Sequence, residues 1–184
     1  MSTFTSGTPA DVVMTSFVQD PFLESPEYLQ VRQIADSLLE QLNQPATLDL
    51  IAQANRPGLS SSLVQGTFLE AARNLGFIDE SKGLFAAYDN SALRPDYYLR
   101  LGSTGIILEV ERGKTTINNM DLLDFWKCHL CEHANYLFLM VPRELRQNES
   151  MSPRREYITV VKRLGSFFRP GNYTNVRGLF VFGY

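Results

Sequence analysis

Cysteine and histidine are scarce in this chain, two of each in 184 residues, and all four fall between Cys128 and His133. Two thiols three residues apart do not make a disulfide framework, and they read as reduced cysteines of a cytoplasmic protein. Read as helical, Cys128 and Cys131 share one face while His129 and His133 lie roughly 100° away. One Zn²⁺ does not readily collect all four from an unbroken helix, because structural zinc gathers ligands from separated segments. Cys128 and His129 point apart on a helix, which excludes a Cys–His nucleophile pair. No stretch approaches the roughly 20 consecutive apolar residues of a membrane span. The opening residues MSTFTSGTPADVV lack the basic and apolar regions of a signal peptide. No GxSxG, P-loop or Rossmann glycine pattern is present. Basic residues are missing early: residues 1–50 hold Arg32 alone against seven acidic residues.

What is present is an ordinary globular composition, 44% hydrophobic and 20% charged, long enough for a substantial core. The net charge of −3 hides an asymmetry, because residues 94–184 carry thirteen basic and nine acidic side chains. A local positive surface, not the global sum, decides whether phosphate is attracted. Residues 1–25 read as a polar, irregular arm. Ser25-Pro26 opens a helix to about Leu42, Thr47–Ala54 forms a second, and Ser62–Leu75 a third that Gly76 ends. Phe77–Ala87 links to a turn at Tyr88–Ser91. Asn118 or Asn119 caps a helix running to about Ala134. Tyr136–Val141 is an uninterrupted apolar run, as in a strand buried on both faces, and Pro142 ends it. Ser152-Pro153 opens a helix to about Phe168, and Leu179–Phe182 is a last strand. This order predicts an α/β fold, a mixed β-sheet flanked by helices. It divides into an N-terminal arm and helical region, residues 1–60, and an α/β core, residues 61–184.

The chemistry concentrates in Leu93–Lys114, LRPDYYLRLGSTGIILEVERGK. Two runs rich in Tyr, Leu, Ile and Val flank Gly102-Ser103, which predicts a β-hairpin with a two-residue turn. That register sets Asp96 across from Glu109 and Arg94 across from Glu111. A four-residue turn would instead pair Asp96 with Glu111 and Tyr98 with Glu109, on the same face. Tyr97, Leu99, Leu101, Ile106, Leu108 and Val110 then form one apolar face. Arg94, Asp96, Tyr98, Arg100, Ile107, Glu109 and Glu111 form the other. Carboxylates facing each other across a sheet repel, which raises at least one pKa. Arg94 and Arg100 offer pairing on a solvated face. A divalent cation removes the conflict more fully, since Mg²⁺ takes carboxylate oxygens and keeps positions open for water and phosphate.

Pro95-Asp96, a turn, and Glu109-Val110-Glu111 on an apolar strand, followed by a helix and another strand, resemble the PD-(D/E)xK nuclease superfamily over about Glu70 to Pro142. The usual third-position Lys is Glu111 here, which resembles the ExE variant of some type II restriction endonucleases. The resemblance implies a restriction-endonuclease-like core and a Mg²⁺-dependent deoxyribonuclease, with Mn²⁺ able to substitute. Asp96, Glu109 and Glu111 would hold the metal, and Glu111 would orient or deprotonate the attacking water. Lys114 or Arg112 would neutralise phosphate charge, or Lys127 would do so from the next helix. Glu70, on the helix before the hairpin, is the acid that would help hold metal-bound water.

The expected partner is double-stranded DNA. Two-strand cleavage of a pseudo-two-fold duplex predicts a homodimer, with protein contacts through the acidic N-terminal region. Two readings stand beside this one. The chain is a non-catalytic nucleic-acid-binding or assembly subunit of the same fold, or a repair, resolvase or transposition nuclease differing only in substrate.

Overall fold

The computed structural model describes residues 11–56, 59–79, 94–113, 115–145 and 152–184. The expected turn at Tyr88–Ser91 and Lys114 lie outside them. The six strands are β1 (Val13–Val18), β2 (Ile78–Asp79), β3 (Tyr97–Leu101), β4 (Thr104–Val110), β5 (Tyr136–Val141) and β6 (Gly178–Gly183). The helices are α1 (Pro26–Leu42), α2 (Pro45–Ala54), α3 (Ser61–Asn74), α4 (Met120–Leu130) and α5 (Glu156–Gly165). One mixed sheet runs in the order β1-β6-β5-β4-β3-β2. Its centre, β4, β5 and β6, is parallel, and the outer pairings are antiparallel.

Period-two alternation in the strands builds a core on each side of the sheet. On one side α1, α2 and α3 cover Tyr97, Ile106, Leu108, Val110, Phe138 and Phe182. On the other side α4 and α5 cover Tyr98, Ile107, Leu137, Leu139 and Val181. The result is an α/β sandwich of three layers. Because helices cover both faces, β5 is buried along its whole length, as its continuous apolar run requires. The second hairpin face is roofed by α4 and not solvated, so Glu109 is only 3% exposed. Among the described residues no helix is long and apolar enough to cross a membrane.

Three boundaries differ from the sequence reading. The supposed arm contains β1, an edge strand antiparallel to β6 with Val13 opposite Gly183. Its β-branched and aromatic residues pair with β6, and Val12 N–H donates to Asn43 Oδ1 at 2.8 Å. Helix α4 ends at Leu130, four residues early, because Asn135 must reach the β4 end, where its N–H bonds Gly105 O and Thr104 Oγ1. Helix α5 starts at Glu156, because residues Leu145 and Arg154 are held in a reciprocal β-bridge. After α5, a single 3-10 turn covers Ser166–Phe168.

The hairpin has the two-residue turn, with Tyr97 opposite Leu108 and Leu101 opposite Thr104. Gly102 adopts φ +58, left-handed backbone that glycine tolerates without strain. Gly105 is required for space. A Cβ there would meet the Tyr98 ring, Leu99 O at 2.7 Å and His133 O at 2.8 Å. Gly105→Ala is therefore expected to destabilise the fold by about 1–3 kcal/mol, as overpacking does. A thermal melt checks it, and an unchanged midpoint would refute the close approach.

Candidate active site

The β3–β4 ladder stops at Tyr97 and Leu108. Pro95, which stands opposite Val110 in this register, has no N–H to offer the ladder. Asp96 takes over with its side chain: Oδ2 accepts the Val110 N–H at 2.8 Å. Glu109 Oε2 in turn accepts the Asp96 N–H at 3.1 Å. The Glu109 carboxylate thus holds the Asp96 backbone, while the Asp96 carboxylate holds the backbone of Val110, the residue after Glu109. From α3, Gln65 Nε2 donates to Asp96 Oδ1 at 3.1 Å.

Across the sheet face, α4 brings Lys127 and Asp124 to the same place. Lys127 Nζ lies 2.8 Å from Glu109 Oε1 and 2.9 Å from Asp124 Oδ1. Lys127 is 8% exposed and Asp124 fully buried. Glu111, just past β4, is fixed by its backbone, with its N–H bonded to Met140 O at 2.8 Å and its carbonyl accepting from the Tyr184 hydroxyl at 2.6 Å. Its carboxyl feels the Asp124 charge, and the Thr115 hydroxyl donates to its Oε2 at 3.5 Å.

Four carboxyl groups therefore surround one ammonium. Burial holds Asp96, Glu109, Glu111 and Asp124 all above their usual range. For Glu109 and Glu111 the Asp124 charge adds to that effect, and Glu111 is pushed up to about 8. Burial works against the Lys127 charge, but Glu109 and Asp124 outweigh it, so its pKa is raised and it stays protonated.

Asp96, Glu109 and Glu111 are thus brought to one site. Glu70 is not: it is exposed, lining a groove between α2 and α3 with Gln41, Gln44 and Thr67. Gln65, five residues earlier and on another side of the helix, reaches the hairpin instead. Arg112 is turned away, its guanidinium donating to Leu59 O and Arg56 O. Arg100 is exposed and bonds Gly102 O at 3.4 Å. The described cation of the cluster is therefore Lys127. Sequence reasoning missed Asp124, whose signal was its i,i+3 spacing to Lys127 beside the inward-facing Phe125 and Cys128. Cys128 and Cys131 are buried in the second core, and the His129 ring bonds Thr174 and Asn175.

The donor set is four carboxyl groups, hard oxygens of the kind Mg²⁺ or Mn²⁺ prefers. Asp124 Oδ2 is buried and accepts no hydrogen bond, an acceptor that a cation would satisfy. The chemistry therefore fits a divalent ion. In their present positions, among the described residues, no three Asp, Glu, His or Cys side chains are gathered to clasp one. The ammonium stands between two of the carboxyl groups.

No protein-family model matches the sequence, and no curated protein matches it. Among solved structures the chain is similar to restriction endonuclease BglII in complex with a DNA 16-mer, with TM-score 0.49 and 11% identity over 95% of this chain and 78% of that one.

The raised Glu111 carboxyl fixes a pH dependence. A group that binds its proton more tightly when folded contributes stability that is complete below its unfolded value, near 4.5, and lost as pH rises through about 8. In EDTA the protein is expected to lose on the order of a few kcal/mol between those limits. Glu111→Gln should flatten the curve. Melts across this pH range that are parallel for both proteins would rule out the buried acid.

Proposed function

We propose that the chain is a metal-dependent DNA endonuclease that hydrolyses phosphodiester bonds. The observation that carries the reading is the pairing of Asp96 with Glu109 beside a buried lysine, at the C-terminal end of a central parallel strand. Asp96, Glu109 and Glu111 would hold Mg²⁺, or Mn²⁺ in its place. The bound ion would supply charge stabilisation and an acidified water. Lys127 faces the phosphate and neutralises charge developing on its oxygens. Glu111, once a bound cation has displaced its proton, would accept the proton of the attacking water. The assignment gives the missing third-position lysine's role to Lys127, because Arg112 is engaged elsewhere.

Charge placement supports a nucleic-acid partner. Arg143 follows β5 directly and donates its N–H to Tyr184 O at 2.6 Å. Arg154 and Arg155 stand just before α5, and all three arginines are exposed. They lie toward the same sheet end as Glu111, whose N–H bonds the last turn of the β4–β5 ladder. A duplex laid across that end would meet these arginines beside the carboxyl cluster, where Arg143 and Arg155 line one groove with Val13 and Tyr157. We place the second protomer of a homodimer against the acidic region of α1–α3. Leu29, Leu50 and Leu63 are each about half exposed there, and phosphate would be repelled.

Two measurements test the reading. Duplex cleavage in Mg²⁺ or Mn²⁺ is expected to fall at least about a hundredfold in Asp96→Ala and Glu109→Ala, and equal activity in all three proteins would sink it. Supplying intact, nicked and branched DNA separates a restriction-type substrate from a repair or resolvase one. Metal-independent binding without cleavage of any substrate would instead mark an assembly subunit. Replacing Arg143, Arg154 and Arg155 by Ala should lower the slope of log K against log salt by about 2–3. An unchanged slope would remove them from the phosphate path.

A further inference from the structure

The position that a divalent ion would take beside Glu109 is held by the protein's own cation. Lys127 Nζ is within 2.9 Å of both Glu109 Oε1 and Asp124 Oδ1. Around it the other carboxylate oxygens are engaged by the fold: Asp96 Oδ1 by Gln65, Asp96 Oδ2 by the Val110 N–H, and Glu109 Oε2 by the Asp96 N–H. Asp124 differs. It is fully buried, lies one helical turn before Lys127, and its Oδ2 accepts nothing.

We infer that Lys127 is an internal counter-cation that closes the metal position in the resting protein, and that Asp124 is the positioning residue that receives it when Glu109 turns to a divalent ion. The inference rests on the metal reading above and concerns how this chain's residues admit the ion. A doubly charged ion on Glu109 would stand within a few ångströms of the ammonium. In a buried site, poorly screened, that repulsion is large. The ammonium must move, and a buried ammonium without a partner is costly. Its three donors can satisfy both oxygens of Asp124. Because Asp124 and Lys127 ride on the same helix, the transfer needs side-chain rotation and no shift of backbone. The ammonium then remains in the site, aimed at the entering phosphate, instead of being expelled to solvent.

Calorimetry with Mg²⁺ and with Ca²⁺, without DNA, tests this on wild type, Lys127→Met, Asp124→Asn and the double variant. Removing the competitor is expected to tighten ion affinity about tenfold or more in Lys127→Met relative to wild type. The tightening should be larger in the Asp124→Asn background, where the displaced ammonium has no acceptor. Unchanged or weaker affinity on removing Lys127 in both backgrounds overturns the competition. Equal tightening in both overturns the receiving role of Asp124. If Lys127→Met alone does not fold, the double variant, which removes one charge of each sign, is compared with Asp124→Asn: tighter binding supports the competition and its absence refutes it. Absence of saturable binding in all four proteins overturns the metal reading itself, and this inference with it.

Discussion

One ammonium among two buried and two half-buried carboxyl groups is the constraint on which the described site depends. Taking a carboxylate out of water costs several kcal/mol, and close opposite charges return that cost only when geometry is tight. Lys127 meets the condition with two contacts under 3 Å, yet it cannot neutralise four acids. The remaining imbalance appears as raised proton affinity in all four acids. Asp96 has Gln65 and the Val110 N–H to steady its negative charge, whereas Asp124 keeps an oxygen with no donor at all. The cluster therefore holds its protons more tightly than free carboxyl groups do.

The fold delivers this arrangement through its parallel centre. Strands β4 and β5 end side by side, with α4, the helix between them, on one face, so residues just past β4 and the inward side of α4 meet. The other face is closed by α1–α3, and from that layer Gln65 reaches the hairpin edge. Arg112 fastens the same layer a second time, by capping carbonyls of the α2–α3 connection. The site is thus gripped from both sides of the sheet, which keeps its acids close despite their repulsion.

Much of this was legible in the chain. The Gly102-Ser103 turn fixes the register and hence the opposition of Asp96 and Glu109. The apolar run Tyr136–Val141 marks the buried central strand, and Ser25-Pro26 opens α1 at the residue observed. What was not legible depended on long-range packing. Strand β1 pairs with a strand more than 150 residues away, and its short apolar group carries no local mark of that. Glu70 and Gln65 lie on one helix, and their rotation about its axis is set by how α3 meets the sheet. Asp124 went unread because the roofing of the hairpin's second face is invisible to alternation alone. Lys127 was one candidate among several, and only the packing of α4 onto β4 separates it from Arg112.

Pro95 and Asp96 give the hairpin end a further meaning. By ending the ladder where a proline cannot donate, the chain hands a backbone duty to the acid next to it. Asp96 is then a splint of the hairpin, so the atoms proposed for chemistry already serve the fold. Glu111 has no such second employment, since its backbone, not its carboxyl, bridges to β5 and Tyr184. Removing the Asp96 carboxylate would open the hairpin end, whereas removing the Glu111 carboxyl would leave both of its backbone bridges in place.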